Sequence, residues 1–182
     1  MSTTRDRALA AAVRLVGGSG IRALTHVRVD AEAGLPRGST SNHFRTRAAL
    51  VAGVTVWIAE SERADLAARM VPASSPDEVI DAFCAVLEDL TGRHAERTRA
   101  RYALFFEMAA EPEVQAPLRA QRTKFEDWAR GLLAGLGAAD PDAAAQGFMA
   151  VSTGLIVTRL TMDRSAPLRP IVAAAVRACL ES

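Results

Sequence analysis

Between two segments with helical apolar spacing the chain runs AGLPRGSTSNHFRTR, from Ala33 to Arg47, which sets arginines, hydroxyls and an amide around a single Phe44. A polar run of this length without apolar periodicity ordinarily forms a loop. This one carries its own punctuation. Upstream, Leu9, Val13 and Val16, with Ala8, Ala12 and Leu15 beside them, recur at i, i+3, i+4 and i+7 and predict an amphipathic helix that stops at Gly17-Gly18-Ser19-Gly20. Thr25 is placed to cap a second helix with Val29 and Ala33 on its inner face, and Gly34 to end it in a left-handed conformation. Proline is tolerated in a first helical turn, so Pro36 to about His43 is expected to form another short helix, held by Phe44. Two short helices joined through a glycine turn make a helix-turn-helix. The polar run is then exposed because its partner is another molecule.

The charge distribution points the same way. The net charge of the 182 residues is only +1, yet residues 1–47 hold eight Arg against three Asp or Glu, whereas residues 48–182 hold fourteen Lys or Arg against eighteen acids. A basic head on a mildly acidic body is the footprint of a segment that meets a polyanion. The division expected is therefore a polyanion-binding helix-turn-helix domain over 1–47 and an all-helical body over 48–182.

Helical spacing continues through the body. Thr46 is the expected N-cap of a helix reaching about Arg69, with Ala49, Leu50, Val54, Trp57 and Ile58 as its buried stripe. Val71 to Pro76 reads as a loop, Ser75 or Pro76 opens the next helix, and Gly92 closes it. Further helices are expected from about Ala95 to Ala110, Glu113 to Leu136, Asp142 to Met162 and Leu168 to Leu180. No convincing alternating strand occurs, so the fold class is all-α with eight or nine helices. Ala143 to Thr158 is sixteen residues without a formal charge. That is short of the roughly 20 needed to span a membrane. Such a helix still has to be covered all round, and the last two helices read as a pair that forms a four-helix bundle with a second copy, unless one monomer fills both faces. Cys84 and Cys179 sit far apart in apolar patterns and read as small core residues. His26, His43 and His94 are too scattered for a metal site or a triad, no phosphate-binding glycine loop occurs, and no cofactor is implied. Met1 to Ala8 lacks the apolar run of a signal peptide, so a cytoplasmic protein is expected.

From about Arg5 to Leu50 the chain resembles the DNA-binding domain of the TetR family of bacterial transcriptional regulators. The resemblance rests on Ala11-Ala12 and Leu15, a glycine-bearing turn, Leu24-Thr25, Ala33-Gly34, Arg37 to Ser39, His43-Phe44 and Arg47 to Leu50, in that order and spacing. Thr40-Ser41 stand where the family most often has leucine and tyrosine, and Asp30 where a small apolar residue is usual. Ser41, in place of the tyrosine, is the DNA-binding candidate at that position.

On this reading the second short helix lies in the major groove. Pro36 opens that helix, Arg37 can pair with guanine, Ser39 and Asn42 reach bases or phosphates, and Gly38 lets the backbone come close. Thr25, Arg28, Arg47 and the free amides after Thr46 would hold phosphates. His26 and His43 either touch phosphate or serve the fold. The resemblance further implies a dimer on a palindromic operator, released by a small-molecule effector bound in the body, most simply as a repressor. Candidate pocket walls are Trp57, Phe83, Leu87, Tyr102, Phe105, Phe106, Trp128, Met149 and Thr153, although such residues also build cores. Two other readings stand beside this one: a helical small-molecule binding protein or enzyme whose head is a packing element, and a DNA-binding regulator without an effector.

Overall fold

The computed structural model describes residues 3–69 and 72–181, so Val71, the first residue of the expected loop, lies outside the described residues. Every regular element among them is helical: α1 (Thr4–Ser19), a 3-10 turn (Ile21–Ala23), α2 (His26–Glu32), α3 (Ser39–His43), α4 (Arg47–Ala67), α5 (Pro76–Thr91), α6 (Ala95–Glu107), α7 (Pro112–Gly135), α8 (Pro141–Thr161) and α9 (Leu168–Glu181). The expected caps form at the expected places. Thr25 Oγ1 accepts from the Arg28 amide, Thr46 Oγ1 from that of Ala49 and Ser75 Oγ from that of Glu78. Each such cap is worth about 1 kcal/mol.

The first helix departs from expectation. It runs through Gly17 and Gly18 to Ser19 rather than stopping at the glycines. Gly17 is there for proximity, since a Cβ built on it would lie 2.2 Å from the carbonyl oxygen of Glu96 at the start of α6.

The described chain packs as two compact units, one of residues 1–62 with 96–121 and one of 63–95 with 122–182. In the first, Leu9, Val13 and Val16 of α1, Val29 of α2 and Phe44 share a core with Leu50, Val54 and Ile58 of α4, Ala100 and Leu104 of α6, and Val114 and Leu118 of α7. Ala49 is exposed rather than part of the α4 stripe, because Leu50, Val51, Val54 and Ile58 turn the buried face away from it. Gly53 lets the Phe44 ring lie against α4, where a Cβ would sit 2.4 Å from the ring.

In the second unit α5, α8 and α9 pack on one another. Phe83 stacks on Phe148 with ring centroids 3.9 Å apart and meets Trp128 of α7 edge-on at 5.2 Å. Both cysteines are free thiols, Cys84 buried and Cys179 half-buried. No helix among the described residues is long and apolar enough to cross a membrane.

Candidate nucleic-acid interface

A five-residue helix has little cohesion of its own, because nucleation costs more than one turn of hydrogen bonds returns. What seats α3 is its surroundings. Gly34 at φ 61° ends α2 and Gly38 at φ 91° precedes Ser39, both in the left-handed region that favours glycine. The second turn explains why α3 begins at Ser39 and not, as the sequence suggested, at Pro36: helical dihedrals cannot continue through Gly38. Pro36 lies in the turn, where its carbonyl accepts from the Ser39 amide at 3.1 Å and the Ser39 hydroxyl at 2.6 Å.

Gly38 has no side chain to cap the helix, and Asp30 of α2 takes that role. Its carboxylate is only 3% exposed and accepts from the Gly38 amide at 2.7 Å, the Thr40 amide at 2.8 Å and the Thr40 hydroxyl at 2.5 Å. Burial pushes its pKa up, but the bonds from Thr40 and Gly38 outweigh burial and hold the carboxyl below its ordinary value. Asp30 and Thr40, two of the three residues that depart from the resembled pattern, are thus bonded to each other.

At the far end of α3, His26 Nε2 lies 2.6 Å from the Phe44 carbonyl, which fits an Nε2–H donor. His26 is half-buried and serves the fold in this arrangement. Above the turn, Arg7 Nη2 of α1 donates to the carbonyls of Ala33 and Gly34, at 2.9 and 3.2 Å. Arg14 pairs with Glu32 at 2.8 Å, and the Arg5 guanidinium sits 5.6 Å from the Phe44 ring centroid.

The outer side of α3 is different, as is the turn before it, where Arg37 lies outside the helix that the sequence suggested for it. Arg37, Ser41, Asn42 and His43 are exposed, and among the described residues no hydrogen bond within the chain engages their side chains. Thr40, between them in sequence, points inward and is fully buried. Arg28 and Pro36 are exposed, Gly38 and Ser39 half-buried, and Thr25 exposed with its hydroxyl used as a cap. Arg47 is exposed but gives one donor to the Ile21 carbonyl at 3.0 Å. Arg22 and Arg45 are also exposed. Sequence reasoning passed over them, although Arg45 lies within the polar run itself.

The proposed effector walls divide between the units. Trp57, Tyr102, Phe105 and Phe106 belong to the first, and Phe83, Leu87, Trp128, Met149 and Thr153 to the second. Tyr102 and Phe106 make a ring contact at 6.1 Å; Phe105 packs toward the core, while Phe106 is 69% exposed. Phe83, Leu87, Trp128 and Met149 are core, and the Thr153 hydroxyl donates to the Met149 carbonyl at 2.8 Å.

A family model described as "Tetracyclin repressor-like, C-terminal domain" matches residues 74–182. Among curated proteins no match was found. Of solved structures, a transcriptional regulator from Rhodococcus sp. Rha1 is similar over 98% of this chain and 97% of its own at 19% identity, with a TM-score of 0.82. A member of the TetR family from Streptomyces coelicolor A3 is 28% identical over 97% of this chain and 98% of its own, with a TM-score of 0.72. The multidrug binding protein EbrR, in complex with ethidium, is 27% identical over 97% of each chain, with a TM-score of 0.64.

Proposed function

We infer what the chain does from where it belongs: it is a member of the TetR family of transcriptional regulators, and we propose that it is a dimeric, sequence-specific DNA-binding repressor relieved by a small molecule. The observation that carries this is the two-sidedness of α3. Its inner side is bonded to α2, and its outer side, with Arg37 of the turn before it, offers Ser41, Asn42 and His43 to a partner outside the chain. Arg37 is the base reader in this account, with two guanidinium donors for a guanine edge. Arg28, Arg45 and Arg47 neutralise phosphates and fix orientation without reading sequence. The functional division falls at 47/48, although the packing units divide the chain elsewhere.

Dimerisation through α8 and α9 is supported by what those helices leave uncovered. Ala143, Gly147, Ala150 and Gly154 of α8, with Pro170, Ala174 and Ala178 of α9, are small and exposed. A Cβ at Gly147 or Gly154 would meet nothing within 4 Å in the chain. Close approach by a second copy is a use for such a surface. Two heads then span half-sites about 34–36 Å apart. For the effector, the support is the likeness to EbrR, whose complex holds ethidium.

Selection of bound fragments from random duplex DNA tests the reading, with affinity measured against salt. A two-fold symmetric consensus and a steep loss of affinity with salt are expected. Recovery of no preferred sequence overturns the proposal.

A further inference from the structure

We propose that Asp30 and His26, one helical turn apart on α2, form a polar clamp that sets the register at which α3 presents its outer side, and so determine which operator is preferred. The inference rests on the DNA-reading function proposed above. Asp30 binds the leading end of α3 through Gly38 and Thr40, and His26 binds its trailing end through the Phe44 carbonyl. The contacts from α2 span α3 end to end. Bonds of this kind have narrow angular and distance tolerance, unlike apolar contacts, which allow sliding. Arg37 and Asn42 flank the clamped atoms directly: Arg37 precedes Gly38, and Asn42 follows Thr40 by two residues. A change in the clamp therefore shifts base-reading groups while leaving the phosphate-binding arginines of the neighbouring elements in place. His26 and Asp30 are positioning residues, not contacts to DNA.

Asparagine at position 30 is a demanding probe. The two carboxylate oxygens each face a donor, Oδ2 the Gly38 amide and Oδ1 the Thr40 amide and hydroxyl. An amide side chain of the same shape must turn its NH2 toward one of them. Either way one of the two contacts at the leading end, to Gly38 or to Thr40, is lost with little change in volume.

The test uses the full-length protein and the duplex it selects, with a random duplex of equal length beside it, all below the melting temperature of each variant. Asp30→Asn and His26→Phe are each expected to lower the ratio of selected to random affinity at least tenfold, with random-duplex affinity changed less than twofold, and to alter the base preferences recovered on reselection. A merely structural loss of head stability would lower both affinities together, and that result overturns the inference. The double variant D30A/T40L replaces the polar contact with an apolar pair; it is expected to fold but to select different bases. Return of the wild-type preference in that variant also overturns the inference. If wild type itself prefers no sequence, the DNA-reading function has failed; if wild type selects and the clamp variants keep its ratio, the clamp alone has failed.

Discussion

Gly17→Ala adds one carbon where there is no room for it. The new Cβ would lie 2.2 Å from the Glu96 carbonyl oxygen, 2.9 Å from its carbon and 3.2 Å from its Cα, where ordinary contact begins at 3.4 Å. All three are backbone atoms on the second residue of α6, so relief requires helix movement rather than a change of rotamer. Overpacking of this kind costs about 1–3 kcal/mol. Against it stands the preference of a helix for alanine over glycine, at most about 1 kcal/mol and smaller in the last turn. The net loss is about 1–2 kcal/mol, or a fall in thermal midpoint of about 3–6 °C for a chain of this size. Gly18→Ala is the internal control, because its Cβ would meet nothing within 4 Å. It should leave the midpoint unchanged or raise it slightly. Thermal unfolding followed by far-UV circular dichroism reads both variants at one protein concentration. A Gly17→Ala protein as stable as its Gly18→Ala counterpart would refute the contact and the reason given for glycine at 17.

Arg37→Ala should relax preference at one base pair per half-site, whereas Arg47→Ala should weaken all sequences about equally and lower the salt slope by about one per head; equal effects of the two variants on selected and random duplexes would count against that division. Combining Gly147→Ala with Gly154→Ala should stabilise α8 by up to about 1 kcal/mol per site yet weaken the dimer, seen as dissociation at higher protein concentration in sedimentation equilibrium; an unchanged dimer would place the interface elsewhere. Asp30 has a depressed pKa in the native state, so its contribution is complete above the unfolded value near 3.8 and is lost as pH falls through the native one. Denaturant unfolding should accordingly show wild type more stable than Asp30→Asn by about 1–2 kcal/mol at pH 6–8, with the gap closing only below about pH 4; a gap that already closes by pH 6 would contradict the depressed value.

Local signals survived into the structure, and signals with distant causes did not. Thr25, Thr46 and Ser75 cap the helices they precede because an N-cap needs only its own next three residues. Gly34 adopts its left-handed turn for the same reason. Pro36 misled, since its fitness for a first helical turn is a local rule that Gly38, two residues on, overrides. Gly17 looked like a terminator, but its cause lies at Glu96, far along the chain. Asp30 looked like a defect in an apolar pattern, and only folding brings it to Gly38 and Thr40. The arginine count overstated the surface available to a polyanion. Arg7, Arg14 and Arg47 spend donors inside the protein, which leaves Arg5, Arg22, Arg28, Arg37 and Arg45 as the exposed basic set without such bonds among the described residues. Periodicity reports which face is buried, and it is silent on what a buried polar group is bonded to.

That same silence hid how the head is built. Residues 1–47 do not make a core by themselves: Leu9, Val16 and Phe44 close on Leu50, Val54, Ala100, Leu104, Val114 and Leu118 in one apolar cluster. Elements that share a close-packed core move together or not at all. A displacement of α6 therefore acts on α1 through Gly17 and Glu96, where there is no slack, and α1 in turn holds the α2–α3 turn through Arg7. Of the effector walls proposed from the sequence, Trp57, Tyr102 and Phe105 belong to this unit. Position alone does nothing. A small molecule that acts as proposed must bind the released arrangement more tightly than the operator-bound one, by about 5.5 kcal/mol for a switch from 1:99 to 99:1, and the close approach of Gly17 to Glu96, with the Arg7 bonds to the α2–α3 turn, is the route within this unit from α6 to α3.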